Sequence, residues 1–398
     1  MKIHASPRIT GNLSGVTLAG QAGTWDLTHS GGRIAALRPS RQTGGGMVLP
    51  LMADIHVHLD KTMTIGRMPR RAASLFDAIE MMGEDAAGWT EADMRRRVGT
   101  ALARAYRHGT ALMRSHLDWN TAEAPLAWPV LTELAQEWRG RIDLQLASLT
   151  ALDLIEELGP RIAPQLRAGG GVMGAFVYRN ADMPRKIALV FDLAEAHGLD
   201  LDFHVDEGLE PEAQGFDAIL DETERRGMAG RVLCGHGCSL SVRDPDQVLR
   251  LLERAAHAGV GLTVLPGANS YLQDAQDGRT PRLRGIAPLQ EARAAGMPVM
   301  IASDNVQDGF FPFGDHDLWD VYRLAVLAGH LPHADWLDAI TSTPAHWMGQ
   351  DTTICEGGPA SFIRFESPSL IDALSRPSAV RQVWRDGQIL LHDEGVET

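Results

Sequence analysis

The chain has 398 residues, of which 44% are hydrophobic and 22% charged, as in ordinary folded proteins and unlike disordered ones. Its 51 acidic and 37 basic residues give a net charge of −14, which argues against a nucleic-acid partner and an anionic membrane surface. Three cysteines are too few for a disulfide framework, and no apolar run could serve as a signal or a transmembrane helix, so we expect a cytoplasmic protein.

Both ends of the chain are predicted to be rich in β-structure. Short apolar segments broken by glycines fill the first fifty residues, and the last forty contain a hairpin pattern with Asp386-Gly387 at its turn. We therefore predict one small β-sandwich domain built from residues 1–48 and 352–398. Two independent β-extensions are the alternative that the sequence leaves open.

The middle of the chain, residues 49–351, alternates short apolar runs with amphipathic helical patterns. Several of these helices end at a glycine, a usual C-terminal signal, as at Gly109 and Gly198. Eight strands alternating with helices predict an α/β fold of the (β/α)8 TIM-barrel type. The alternative is an open doubly wound sheet. A glycine-rich phosphate loop after the first strand would indicate that fold, and none is present. The predicted strands are residues 51–57, 110–116, 142–147, 171–176, 200–205, 231–236, 260–265 and 298–303.

Histidines and one aspartate recur where these predicted strands end. His56 and His58 form an H-x-H pair at the end of the first strand, and residues two apart on a strand point to the same face. His204 ends the fifth strand, His236 the sixth and Asp304 the eighth. Barrel enzymes place their chemistry at this carboxyl-terminal rim, so the pattern favours a metal site over a set of packed core histidines.

The residue types indicate which metal chemistry to expect. Neutral imidazoles with one carboxylate and no cysteine suit one divalent ion, zinc or ferrous iron, with a position left open for water. Such an ion lowers the pKa of that water toward neutrality and so supplies hydroxide at physiological pH. Cys234 and Cys238 flank His236, but no second ligand pair follows them, so a structural zinc site is not predicted.

A family resemblance rests on four motifs. They are "HVHLDKT" at 56–62, "HVDEG" at 204–208, "GH" at 235–236 and "SDNVQDGFFPFGDHD" at 303–317. In order and approximate spacing over residues 48–350, the chain resembles the amidohydrolase superfamily, and more narrowly its cytosine deaminase branch. The resemblance implies a metal-dependent hydrolytic deaminase of a small nitrogen heterocycle, in which hydroxide attacks a cyclic amidine carbon and ammonia leaves.

The resemblance also implies roles for individual residues. It implies a mononuclear ion held by His56, His58, His204 and Asp304. Glu207 is implied as the group that shuttles protons to the substrate, His236 as the group that orients the attacking hydroxide, and Asp304 as an acceptor of its proton. A carboxylate close to the ion can deliver the protons that deamination needs.

Three departures from the family pattern bear on metal count and substrate. The fourth strand, residues 171–180, has no lysine that could bridge two metals, which favours a single ion. Ala151 stands near the position of a glutamine that reads the pyrimidine edge, and Asn305 stands where a second aspartate is expected. Because unpaired buried groups discriminate strongly between ligands, these changes favour a ring other than cytosine, such as another aminopyrimidine, a triazine, a creatinine-like ring or a pterin.

Other residues near these motifs are candidates for binding the ring, and a flat ring suits aromatic walls. His116, at the end of the second strand, is predicted to support the metal ligands, and Gln273 to lie in a surface loop. A cyclic amide or lactam hydrolase and a non-catalytic metal- or ligand-binding barrel are the alternative functions. A homo-oligomer is compatible with each of them. The predicted substrate-binding residues are Lys61, Tyr178, Arg179, Asn305, Phe310 and Phe311.

Overall fold

The fold is that of a computed structural model, which describes residues 10–367, 369–376 and 379–390. Within these ranges the strands form two sheets, one of eight strands and one of seven. No helix in the described ranges is long and apolar enough to cross a membrane.

The eight-stranded sheet is a parallel barrel, as predicted. Its strands follow one another in chain order, and an isolated parallel bridge between Val57 and Asp304 closes the last strand onto the first. Each predicted strand has a counterpart here, because a strand covered on both faces is apolar along its length. The barrel strands are β5 (Met52–Val57), β6 (Thr110–Asp118), β7 (Asp143–Ala151), β8 (Ala175–Val177), β9 (Leu201–Val205), β10 (Val232–His236), β11 (Gly261–Val264) and β12 (Val299–Ile301), numbered after the four strands that precede them, β1 (Gly11–Leu18), β2 (Trp25–Ser30), β3 (Arg33–Pro39) and β4 (Met47–Pro50).

Helices cover the outside of the barrel and its rim. The helix that ends at His108 stops at Gly109, and the one that ends at His197 stops at Gly198; both glycines have the positive φ that the predicted signal requires. The helices are α1 (Leu75–Ala86), α2 (Glu91–His108), α3 (Ala127–Trp138), α4 (Ile155–Gly169), α5 (Met183–His197), α6 (Gly215–Arg226), α7 (Pro245–His257), α8 (Pro266–Leu272), α9 (Leu289–Ala294), α10 (Leu318–Ala328), α11 (Ser342–Trp347) and α12 (Leu370–Ser375), with single 3-10 turns at Ile65–Arg67, Leu152–Leu154, Cys238–Val242, His333–Asp335 and Leu337–Ile340.

The seven-stranded sheet joins the two ends of the chain. It contains β1–β4 and three later strands, β13 (Phe362–Phe365), β14 (Arg381–Arg385) and β15 (Gln388–Ile389), in the order β15-β14-β13-β4-β1-β2-β3. The predicted hairpin is present: Arg385 pairs with Gln388, and Asp386 and Gly387 both have positive φ, as a tight two-residue turn requires. The β-sandwich is thus formed from both ends of the chain, while the exact domain boundaries at residues 48 and 352 stay a prediction.

The terminal sheet packs directly on the barrel. The guanidinium of Arg381 lies 2.6 Å from the Asp317 carboxylate, and Arg385 donates to the backbone carbonyl of Thr110 at 2.8 Å. The buried side chain of Ile363, on β13, lies against Gly109 at the start of the second barrel strand. The sheet therefore supports the end of the barrel opposite the predicted rim.

We expect Gly109→Ala to destabilise the protein by about 1–2 kcal/mol, because Gly109 has a φ of +99°, which an L side chain rarely adopts. An added Cβ would also lie 2.5 Å from the Cδ1 of Ile363. Gly99→Ala is the matched control, since Gly99 lies inside α2 with no atom within 4 Å of such a Cβ, and it should stabilise by about 0.5–1 kcal/mol. Denaturant unfolding of the two variants measures the difference, and equal effects would contradict it.

Candidate active site

Three imidazoles meet at the rim of the barrel. His56 lies on β5, His58 directly follows it, and His204 lies on β9, and all three side chains are buried. The Nε2 atom of His204 is 3.0 Å from Nε2 of His56 and 3.2 Å from Nε2 of His58. One nitrogen cannot donate a proton to both neighbours, so the three Nε2 atoms face a common point rather than form a complete set of hydrogen bonds.

Asp304 brings a carboxylate to the same point. It follows β12, and its Oδ1 atom lies 3.2 Å from Nε2 of His58 and 3.7 Å from Nε2 of His56. Both carboxylate oxygens are buried and accept no hydrogen bond from any described residue. Asp304 also has a left-handed φ of +63°, which turns its side chain inward at the seam between the first and last strands.

These four side chains fit a divalent metal ion. Four ligands at 2.0–2.1 Å from one ion in a tetrahedron lie about 3.3 Å from each other. Four of the six separations here, from His204 to the two other histidines and from Asp304 to His56 and His58, are 3.0 to 3.7 Å. Burial lowers the pKa of His56, His58 and His204 well below the ordinary value, so their nitrogens are neutral and keep the lone pair that a metal needs. Three imidazoles and a carboxylate are a donor set for zinc or iron.

A second combination of ligands shares two members of this cluster. His116, on β6, has its ring centroid 4.1 Å from that of His56 and 4.8 Å from that of His204, and the three could also surround an ion. However, Nε2 of His116 faces a buried carboxylate: it lies 3.3 Å from Oδ2 of Asp202, which also pairs with Arg114 at 2.7 Å. His116 is therefore packed against the ligands and held by charges inside the barrel.

Two further ionisable groups adjoin the cluster. Glu207 follows β9 and is buried, and its Oε1 atom lies 3.5 Å from Nδ1 of His236 at the end of β10. Burial, together with the nearby Asp304 carboxylate, raises the pKa of Glu207 well above its ordinary value. Burial lowers the pKa of His236 to about 4, although Asp304 opposes that shift, so His236 is neutral at physiological pH.

The loop that carries Glu207 is fixed by its neighbour Asp206. The Asp206 carboxylate accepts hydrogen bonds from the backbone N–H groups of Gly215 at 3.1 Å and Phe216 at 2.9 Å, at the start of α6. A carboxylate at a helix N-terminus is stabilised by these unpaired N–H groups. The acid next to Glu207 is thus structural, and Glu207 is left facing the cluster.

A pocket opens above the cluster. It contains about 670 Å³ of space free of atoms, counted to its open mouth. Its walls are mostly apolar, and α1 covers one side of it, while a few polar groups and the cluster itself lie at its inner end. Its lining residues are His58, Lys61, Leu75, Ile79, Met82, Asp118, Asn120, Leu149, Ala151, Phe176, His204, Glu207, His236, Asp304, Asn305 and Phe310.

Three of the predicted substrate-binding residues, Lys61, Asn305 and Phe310, line this pocket. The Nζ atom of Lys61 lies 2.8 Å from Oδ1 of Asp118; burial alone would lower the pKa of Lys61, but Asp118 and Asp60 outweigh it and raise that pKa above its ordinary value. Asn305 donates from Nδ2 to the buried carboxylate of Asp308 at 2.7 Å. The pocket thus holds one lysine ammonium tied to carboxylates and one amide in a fixed orientation.

The structure places Tyr178, Arg179 and Phe311 away from the pocket wall. Tyr178 donates its hydroxyl to Glu210 at 2.7 Å, and the largely exposed Arg179 pairs with the same carboxylate at 2.9 Å. Phe311 packs against Tyr271, with ring centroids 5.8 Å apart. The side chains of these three residues are therefore occupied by contacts outside the pocket lining.

The prediction for Gln273 is wrong, and three polar residues in or next to the pocket were not predicted. Gln273 is buried, not in a surface loop, and its Nε2 donates to the backbone carbonyl of Glu207. Asp118, the last residue of β6, and Asn120 line the pocket, and Asn269, outside the pocket wall, contacts His236. Only Asp118 had a signal in the sequence: it follows His116 by two residues and so shares its strand face.

Known proteins are similar to this chain in sequence. A model of the amidohydrolase family matches residues 165–391. A pterin deaminase of Rhizobium rhizogenes (strain K84) is 36% identical over 354 residues, which cover 87% of this chain and 80% of that protein. An N-isopropylammelide isopropyl amidohydrolase of Pseudomonas sp. (strain ADP) is 23% identical, over 88% of this chain and 87% of that protein.

Solved structures share the fold. The crystal structure of 5-methylcytosine deaminase from Klebsiella pneumoniae with 5-fluorocytosine has a TM-score of 0.85, at 23% identity, over 98% of this chain and 99% of that one. N-isopropylammelide isopropylaminohydrolase from Burkholderia multivorans has a TM-score of 0.78, at 24% identity, over 95% and 97% of the two chains. Both likenesses extend over the barrel and the terminal sheet together.

Proposed function

Because this chain belongs to the amidohydrolase family, we propose that it is a metal-dependent hydrolytic deaminase of a pterin or a closely related bicyclic aminoheterocycle. The observation that carries the activity is the placement of Glu207 and His236 beside the cluster of His56, His58, His204 and Asp304 at the inner end of one pocket. The substrate class is supported by the 36% sequence identity to the pterin deaminase. The reaction replaces the exocyclic amino group of the ring by oxygen from water and releases ammonia.

One zinc or ferrous ion would be held by His56, His58, His204 and Asp304. When bound there, the ion supplies hydroxide at neutral pH and polarises the carbon that is attacked. Asp304 is the one acidic ligand, and its second carboxylate oxygen has no partner among the described residues, so it can accept a proton from the attacking oxygen.

Glu207 handles the protons that pass to the substrate. Burial raises its pKa, which favours the protonated carboxyl group, and that group can donate its proton to the ring nitrogen next to the attacked carbon. The carboxylate that results can take over the proton that Asp304 has accepted and give it to the departing amine. One buried carboxyl group thus carries both transfers, and ammonia leaves as a neutral molecule.

The apolar walls and a few polar groups select the ring. Phe176 and Phe310 offer flat apolar surfaces, and the short side chain of Ala151 leaves space at the wall for a second ring. Lys61 is suited to a ring carbonyl oxygen, and the half-exposed carboxylate of Asp118 to ring N–H or amino donors. Asn305 can accept or donate one further hydrogen bond at the same end.

A panel of rings tests the proposal. Zinc-loaded and iron-loaded protein is incubated with pterin, cytosine, an aminotriazine and creatinine, and ammonia is measured by a coupled assay. We expect one ammonia per pterin, with a kcat/KM on the order of 10²-fold above that for cytosine. Protein stripped with a chelator is the control and should be inactive. Ring-opened products without ammonia would contradict the proposal and favour a lactam hydrolase.

A further inference from the structure

The short helix α8, which follows β11, contacts both of the groups that we place beside the ligand cluster. Asn269, fully buried in the middle of this helix, has its Nδ2 atom 3.0 Å from Nδ1 of His236. Gln273, at the end of the helix, donates to the backbone carbonyl of Glu207. One helix therefore reaches two residues at the carboxyl ends of different barrel strands.

The contact from Asn269 decides where His236 carries its ring proton. A neutral imidazole has one N–H donor and one acceptor nitrogen. If Asn269 donates from its amide to Nδ1, that nitrogen must be the acceptor and the proton must lie on Nε2. The Oε1 atom of Glu207 is the other polar neighbour of Nδ1, but at 3.5 Å it is too far for a good hydrogen bond.

The opposite nitrogen of His236 is left free by the described residues, and the ring lies beside the cluster. Its Nε2 atom is buried and has no hydrogen-bond partner among the described residues. The ring centroid lies 5.0 Å from that of His204 and 5.4 Å from that of His56. His236 also has a φ of +70°, which is costly for a residue with a side chain and persists only where the surroundings hold it.

We propose that Asn269 is a positioning residue, which fixes the His236 ring with its proton on Nε2 so that this N–H points at the reacting oxygen. The consequence for catalysis rests on the proposed function, but the placement of the proton does not. Asn269 touches neither the cluster nor the pocket wall, so it acts only through His236.

Imidazole ¹⁵N NMR of zinc-loaded protein, labelled at histidine, tests the placement directly. The His236 signals are assigned by their loss in His236→Gln. We expect wild-type His236 to carry its proton on Nε2, and Asn269→Leu, which keeps the volume but removes the donor, to shift the proton toward Nδ1. If the leucine variant does not fold, Asn269→Ala serves the same comparison. A proton on Nδ1 in the wild type, or an unchanged spectrum in the variants, would overturn the inference.

Steady-state kinetics separate positioning from packing. We expect Asn269→Leu to lower kcat by about 10- to 100-fold, with KM within about twofold and metal content unchanged. Ser270→Ala, at the next residue of the same helix, is the control, because no side-chain hydrogen bond of Ser270 is present in the described ranges. An unchanged kcat in the leucine variant would reduce Asn269 to a packing residue. If the wild type releases no ammonia from any ring, the proposed function fails, whereas the NMR result still decides the proton placement.

Discussion

Glu207→Gln is expected to lower kcat by about 10²- to 10⁴-fold while metal content stays at the wild-type level. The amide keeps the shape of the side chain but cannot give up or take back a proton. Glu207 belongs to neither group of side chains that could hold an ion, so we expect metal binding to be unchanged. Steady-state ammonia release and elemental analysis of the same protein preparation measure the two effects.

A matched control lies five residues further along the chain. Glu212→Gln makes the same chemical change at an exposed carboxylate that lies outside the pocket, and it should leave kcat unchanged. If Glu207→Gln retained wild-type turnover, the proton-transfer role would be wrong. If it lost its metal as well, the loss of activity would carry no information about proton transfer, so the metal analysis is part of the test.

His58→Asn and His116→Asn should differ sharply in metal binding. His58 belongs only to the ligand combination that contains Asp304, whereas His116 belongs only to the one with His56 and His204. We expect His58→Asn to keep less than about one tenth of the wild-type metal and to lose at least about 100-fold in kcat/KM. His116→Asn should retain its metal, with a loss of about 10- to 100-fold at most.

Elemental analysis after dialysis against a weak chelator compares the two variants, and far-UV circular dichroism checks that both are folded. The opposite order, with metal lost in His116→Asn and kept in His58→Asn, would place the ion in the second combination. If both variants kept the wild-type amount of metal, neither histidine would be needed to bind it, and His58 would not be a metal ligand.

The barrel could be predicted from the sequence because its signals are local. Segments such as 231–236 are largely apolar, end in a polar residue and precede a helical pattern, and β10 forms there for those reasons. The ligands could be predicted for a related reason. Parallel strands align their carboxyl ends, so residues that end successive strands, such as His204 and His236, meet at one rim.

The rest of the site depends on contacts between segments that no local pattern links. Asn269 and Gln273 lie on a short helix whose packing beneath His236 and Glu207 is set by the barrel, not by their own neighbours in the chain. The sequence around Gln273 alone predicts a surface loop, whereas its burial comes from contacts with distant segments. The position of α1 over the pocket is likewise a matter of tertiary packing, since its apolar face alone does not say what it covers.

The contacts that close the barrel determine when, during synthesis of the chain, the site can form. The backbone N–H of Ser303 donates to the carboxylate of Asp54 at 3.0 Å, and these residues are 249 positions apart in the chain. The N–H of Asp304 likewise donates to the carbonyl of His56 at 2.8 Å. Contacts of such long sequence separation form slowly, and a growing chain acquires its first histidines long before the last strand leaves the ribosome. We expect the site to be assembled only near the end of synthesis, so that a shortened chain ending before Ser303 would have neither a closed barrel nor a complete set of ligands.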